Sequence, residues 1–336
     1  MNAYRFFTPR EIEEKPLRLV DLPIPVPGAG QVLVKVLACG VCRTDLHTVE
    51  GEIHPPRLPL TLGHQVVGII EKRGDDANTP KGVGVGSRVG IPWLYSACGQ
   101  CDFCKRGQEN LCSKARFTGF HTDGGYADYI LADSRYVLPI PNSLSNHQAA
   151  PLLCAGIVGY RALKKADIQH GEHVGLFGFG ASAHLCIQVL HSWGCAVSVF
   201  TRSLGHQDHA RDLGAVWSGV AGQNPGKWLD RAVIFAPAGA LAVRALELVR
   251  PGGTVAINAI HMSDIPSFPY QSIYGERTLR SVANATYDDG VEFLKLAEKI
   301  KIKSTLSAYP LSAANQALAD IKHSRINGEA VLAIDT

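Results

Sequence analysis

The chain has 336 residues, 46% of them hydrophobic and 19% charged, with 34 glycines and 19 prolines. At about 150 residues per domain that length suits two domains, and the composition excludes a disordered or collagen-like chain. Lys and Arg number 33 against 30 Asp and Glu, a formal charge of +3 with no long basic run, so no nucleic-acid partner is expected. No apolar run reaches the roughly 18 residues of a membrane span, and Met1 to Arg10 has no apolar targeting core. A soluble, cytoplasmic protein with no membrane partner is expected. Thiols stay reduced in that compartment, so nine cysteines point to metal ligation or catalysis rather than to disulfides.

Residues 1–155 contain short β-rich runs, such as Gln31 to Val36 and Val66 to Glu71, broken by Pro and Gly clusters at Pro23 to Gly30 and Pro55 to Pro59. They read as a mostly β domain. Within it, Cys42 lies in ACGVCRTDLH, His64 follows Gly63 in a Pro-rich turn, and Cys154 lies in PLLCAG. Taken singly, a buried cysteine is an ordinary small apolar residue and a histidine an ordinary satisfied polar one. A denser group follows the β-rich runs. Cys98, Cys101, Cys104 and Cys112 fall in ACGQCDFCKRGQENLC, where two residues separate each of the first three and seven precede the fourth. Four thiolates close a tetrahedral shell of the kind zinc takes in structural sites, and Gly99 and Gly107 let so short a loop turn tightly. Two disulfides do not suit the compartment, and iron–sulfur clusters use other spacings.

Beyond residue 156 strands alternate with helices. Val174 to Phe177 is a strand, Ala181 to Ser192 a helix and Ala196 to Phe200 a strand. Arg231 to Phe235 is a strand, Leu241 to Val249 a helix, Pro251-Gly252-Gly253 a turn and Thr254 to Asn258 a strand. This rhythm predicts a doubly wound Rossmann domain with a parallel sheet over 156–282. Gly178-Phe179-Gly180-Ala181-Ser182-Ala183 fits G-x-G-x-x-A between strand and helix, which places Gly178, Gly180 and Ala183 at a dinucleotide pyrophosphate. The second strand ends in Phe200-Thr201-Arg202-Ser203, with no carboxylate to take a ribose 2′-hydroxyl. Thr201, Arg202 and Ser203, with His206 nearby, suit a 2′-phosphate instead, so NADP is favoured and NAD possible.

Over nearly its whole length the chain resembles the zinc-dependent medium-chain alcohol dehydrogenases. The resemblance implies an α/β protein whose N-terminal, mostly β (GroES-like) catalytic domain, 1–155 and 283–336, includes a helix near Asp288 to Ile300 and a closing strand at Ala330 to Ile334. It implies two zinc ions per chain. Cys42, His64 and Cys154 match the ligands of a catalytic ion, in the Cys₂His set known for alcohol dehydrogenase, and Cys98, Cys101, Cys104 and Cys112 match those of a structural one. Thr44 and His47 match a proton relay, Asp45 a carboxylate that orients His64, and Arg43 a pyrophosphate contact. Gln65 stands where relatives carry glutamate, Val158 where a threonine often meets the nicotinamide, and Glu329 where a basic residue often meets phosphate. Cys39, Cys186 and Cys195 match no ligand position and read as packing residues, while Trp93, Leu94 and Ile260 are candidate pocket walls. The implied reaction interconverts an alcohol with its aldehyde or ketone, in a homo-oligomer acting on a small molecule. A polyol or aromatic alcohol dehydrogenase and a non-catalytic zinc protein are the alternatives, and the cysteine loop opposes a zinc-free quinone reductase.

Overall fold

A computed structural model describes residues 1–334. The chain divides into two compact units, one formed by 1–155, 285–298 and the residues from Ser304 onward, the other by 156–284 and 299–303. No helix among the described residues is long and apolar enough to cross a membrane.

The first unit is organised by the strand Gln31–Val41, in which Val32, Val34 and Val36 are fully buried. Branched side chains at alternate positions pack well on a pleated face, and each such residue withdrawn from water contributes about 1.5–3 kcal/mol. The strand pairs antiparallel with Val66–Arg73, Tyr129–Asp133 and Glu329–Ala333. Arg88–Ile91 and Leu138–Pro139 extend the sheet beyond Val66–Arg73, and Leu306–Pro310 lies parallel to Glu329–Ala333. One core joins Phe6, Val34, Ile70, Tyr126 and Leu318. Register matters for the site. Ala330 pairs with Val41 and Gly40 donates to Gln65 O at 2.9 Å, which brings the start of the C-terminal strand and the His64–Gln65 segment to the end of Gln31–Val41, where Cys42 follows.

The second unit is a six-stranded, all-parallel sheet in the order 217–219, 196–200, 173–177, 229–234, 249–257, 278–281. Winding proceeds outward from His173–Phe177 on both sides, so the strand order reverses at that strand's carboxyl end, the place where such sheets bind ligands. Phe177 and Phe200 stack at 4.2 Å in its core. The turn expected at Pro251-Gly252-Gly253 is a bulge inside one longer strand, Val249–Ile257. Its register advances five residues, from Val249 to Thr254, while the partner advances two, from Leu229 to Arg231. Proline and a positive-φ Gly252 break the ladder there without ending the strand.

Candidate active site and metal centres

The strand Gln31–Val41 runs into a short helix, Arg43–Val49, with Cys42 as its N-cap. Cys42 Sγ accepts from Thr44 N at 3.5 Å, and Asp45 Oδ2 accepts from Cys42 N at 2.9 Å, a reciprocal cap that fixes the direction of the sulfur. Asp45 is 1% exposed and does more than cap. Its carboxylate also accepts from Gly63 N and from Tyr126 OH, and meets His64 Nδ1, each at 3.2 Å. Gly63 sits at φ +98°, and a Cβ there would come within 2.5 Å of the Tyr126 ring, so the turn that delivers His64 requires glycine.

With the imidazole tied at Nδ1, its Nε2 is buried and has no hydrogen-bond partner among the described residues. One sulfur each from Cys42 and Cys154 and a ring nitrogen of His64 all lie within 4.8 Å of one another. Two thiols and an orphaned imidazole nitrogen, facing one point, are a donor set that fits a soft divalent cation. Burial alone would push the His64 pKa down, but the Asp45 carboxylate and the Cys42 sulfur outweigh it and raise it to about 10 in the metal-free chain. The hydrogen bond from Cys154, aided by His64, holds the Cys42 thiol well below its ordinary value.

The four-cysteine lobe has the same fit in a more compact form. The Sγ atoms of Cys98, Cys101, Cys104 and Cys112 all lie within 4.8 Å of one another. Cys98 and Cys104 are 3.8 Å apart and Cys101 and Cys104 3.5 Å, close to the roughly 3.8 Å edge of a tetrahedron with ~2.3 Å metal–sulfur bonds. Cys101 N and Lys114 N donate to the sulfurs of Cys98 and Cys112, both at 3.4 Å. Backbone bonds from Gln100 and Cys101 hold the Cys98 thiol down to about 6.

In the second unit, Gly178 at φ +95° follows the strand His173–Phe177, and a Cβ there would meet Ala236 N at 3.0 Å. A Cβ on Gly180 would meet nothing within 4 Å, so the helix Ala181–Ser192 opens onto free space able to take a pyrophosphate at its backbone N–H groups. Ala183 is fully buried. Thr201 N is spent on Gly219 O, and Ser203 Oγ caps the next helix by accepting from His206 N. Arg202 is exposed and forms no ion pair among the described residues. Arg43, in the first unit, donates to Ile321 O at 2.9 Å.

The alcohol dehydrogenase GroES-like domain profile matches residues 28–142. A probable alcohol dehydrogenase of Mycobacterium tuberculosis is 41% identical over 99% of this chain and 97% of its own. The chain belongs to the medium-chain zinc alcohol dehydrogenase family. An alcohol dehydrogenase of Geobacillus stearothermophilus is 36% identical over 96% of this chain and 97% of its own. A cinnamyl alcohol dehydrogenase structure from Sorghum bicolor superposes with a TM-score of 0.88 at 25% identity, covering 98% of this chain and 97% of that one. This dehydrogenase is therefore an oxidoreductase acting on CH–OH groups.

Next to the ligand group of the dehydrogenase lie the expected wall residue Trp93 and, beyond what the sequence singled out, Phe117, Phe120, His121 and Tyr126. Trp93 meets His64 edge-on at 4.7 Å and stacks on Phe117 at 4.9 Å, with Phe120 and His121 continuing the aromatic wall. Burial, and Arg116, push the His121 pKa down. Leu94 is buried, whereas Ile260 is 55% exposed. Tyr126, which holds Asp45, is 81 positions from it, and no local pattern marks it. Gln65 is fully buried over Gly40, with neither side-chain amide atom partnered among the described residues. Glu329 is 3% exposed, and burial together with the Cys42 sulfur pushes its carboxyl well up. Val158 lies half-buried in the helix Ala155–Lys165.

Proposed function

We propose that this protein is a zinc-dependent, NADP-preferring alcohol dehydrogenase and aldehyde reductase, and that it favours alcohols bearing an aromatic group. The observation that carries the reading is the convergence of Cys42, His64 and Cys154 with an orphaned Nε2, next to a wall made by Trp93, Phe117 and Phe120. These three residues would hold a catalytic zinc, and the four-cysteine lobe a structural one. Bound zinc supplies Lewis acidity toward the substrate oxygen and the nicotinamide supplies or accepts the hydride.

The protein's own groups do the remaining work. Asp45 keeps His64 Nδ1 engaged, so that Nε2 is the nitrogen offered to the ion. The Thr44 hydroxyl, 3.6 Å from Cys42 Sγ, stands at the ligand group to hold the proton of the reacting hydroxyl. His47 stands one helical turn further on, where an imidazole can take that proton toward solvent. Gly178 and Gly180, with Ala183 packed beneath them, would leave room for the pyrophosphate, Arg43 is the residue that the family resemblance gives to it, and Arg202, with Thr201 and Ser203, would take a 2′-phosphate. An unpaired guanidinium at Arg202 and the lack of a carboxylate after Phe200 favour NADPH.

Initial rates with NADPH and NADH across benzaldehyde, cinnamaldehyde and acetaldehyde, with metal analysis, test the reading. We expect two zinc ions per chain, a higher kcat/KM with NADPH, and aromatic aldehydes ahead of acetaldehyde. Arg202→Ala should cost NADPH about 10–100-fold and NADH little. A zinc-free protein, or one that oxidises neither cofactor with any aldehyde, overturns the proposal.

A further inference from the structure

The strand Leu94–Ser96 pairs antiparallel with Arg116–Phe117, with Leu94 opposite Phe117, so the chain beyond Phe117 starts beside Trp93. Thr118 secures the join. Its N and Oγ1 donate to Trp93 O and Pro92 O, at 2.9 and 2.8 Å. Gly119 then sits at φ +68°, and a Cβ there would come within 2.9 Å of Gly63 N, so the loop rests on the turn that delivers His64. Phe120 and His121 are thus placed by the same two segments that carry Trp93 and His64.

The His121 imidazole ends the aromatic wall. It lies 5.0 Å from Phe120, edge to face, and 5.5 Å from Phe117, while Phe120 is 6.0 Å from Trp93. Phe117 and His121 exchange two bonds: His121 N donates to Phe117 O at 2.8 Å, and Phe117 N donates to His121 Nδ1 at 3.2 Å. A ring nitrogen that accepts a hydrogen bond holds a lone pair, so the proton of this imidazole is on Nε2. Arg116 Nη2 donates to the His121 carbonyl at 3.4 Å, and its guanidinium lies over the Tyr95 ring, away from that nitrogen's task. Nε2 makes no hydrogen bond among the described residues. The ring is only half-buried, whereas Trp93, at the inner end of the wall, is 8% exposed.

We infer that His121 is a specificity-determining residue, whose Nε2–H selects aromatic alcohols and aldehydes that carry an oxygen substituent on the part of the ring remote from the reacting carbon. The inference deepens the aromatic preference proposed above and rests on it. Trp93, in contact with the ligand residue His64, marks the reacting end of the wall, and His121 marks the outer end. A substrate ring laid along this wall meets aromatic faces over most of its length and one hydrogen-bond donor at its far edge. An ether or phenol oxygen there accepts the N–H. A methyl group of similar size displaces water and leaves the N–H with no acceptor, so the site distinguishes two substrates that differ little in shape.

Initial rates with NADPH for 3- and 4-methoxybenzaldehyde, each against its methyl counterpart, test the inference in the full-length, metal-loaded protein and in two variants. His121→Asn keeps an acceptor for Phe117 N in its Oδ1 but has no donor at the position of Nε2. His121→Phe keeps an aromatic ring in the wall and removes both nitrogens. Each variant should lower the methoxy-to-methyl ratio of kcat/KM about 3–10-fold for at least one of the two ring positions. Setting each ratio against the parent's cancels the electronic effect of the substituent on the carbonyl. Ratios that match the parent's at both ring positions, in either variant that folds, overturn the inference. So does an equal loss for methoxy and methyl substrates, because a purely structural role in the loop would lower both alike. A parent that reduces no aldehyde, or that prefers acetaldehyde to benzaldehyde, overturns the proposed function and the inference with it, whereas an active, aromatic-preferring parent with unmoved ratios overturns the inference alone.

Discussion

Four ligand-capable sulfurs of the lobe come from 15 consecutive residues, Cys98–Cys112, whereas the other group draws on positions 42, 64 and 154. The lobe closes its geometry with its own loop, through backbone N–H groups that reach the Cys98 and Cys112 sulfurs. The dispersed group depends on a sheet register, a glycine turn and one buried carboxylate that ties Cys42, Gly63, His64 and Tyr126 together. A local group can serve stability with little help from the rest of the unit. A dispersed one keeps a coordination position free of protein, which four ligands on a short loop would close, and open coordination is what catalysis uses.

Removing one ligand from each group tests that contrast most severely. Cys154→Ser should cut turnover about a thousandfold or more and take bound zinc from two ions to one per chain, with Tm within about 3 °C of the parent. Retained activity would break the assignment of Cys154. Cys101→Ser should do the reverse, lowering Tm by about 5 °C or more while the folded remainder keeps activity within a few fold. An unchanged melting curve would deny the lobe a structural metal.

The same contrast explains what could be read in advance. Parallel-sheet elements were legible because their period is local: the helix Ala181–Ser192 and the strand Ala196–Phe200 have the bounds the sequence suggests. The bulge at Pro251–Gly253 was not legible, because only pairing with Leu229–Ile234 distinguishes a bulge from a turn. Likewise the spacing within 98–112 signals a ligand set by itself, but Cys42, His64 and Cys154 could be linked only through the family resemblance. Tyr126, Phe117 and Phe120 left no pattern at all, because their roles arise from contacts across the fold.

Weakening the scaffold, and not the ligands, should give intermediate effects confined to the dispersed group. Asp45→Asn removes the charge that faces His64 Nδ1 and should weaken zinc retention against a chelator about 10–100-fold at that site, leaving the lobe's ion in place. Tyr126→Phe deletes one of the carboxylate's four partners and should cost only a few fold. Equal loss of both ions from Asp45→Asn would show that the two groups do not fold independently.

The smallest effect expected lies at the far end of the same helix. Glu50, its C-cap, meets Lys322 at 2.8 Å, and Lys322 also bonds Glu13 at 2.9 Å and Glu11 at 2.5 Å, so one ammonium joins the N-terminal segment, the site helix and the helix Ala314–Lys322. Hydrogen bonding to Lys322 is the largest cause that holds the Glu11 and Glu13 carboxyls below their ordinary 4.5. Carboxyls depressed in the folded chain add stability above the unfolded value and lose it as pH falls through the lower folded values. Acid below about pH 4.5 should therefore loosen this tie, while pH changes between 6 and 8 should leave it alone. Lys322→Met should lower Tm at pH 7 by about 1–3 °C, since two of its three partners, Glu11 and Glu13, are exposed and well screened, and should flatten the fall in Tm between pH 5 and pH 3. A variant whose Tm falls as steeply with acid as the parent's would show that the network carries none of the acid sensitivity.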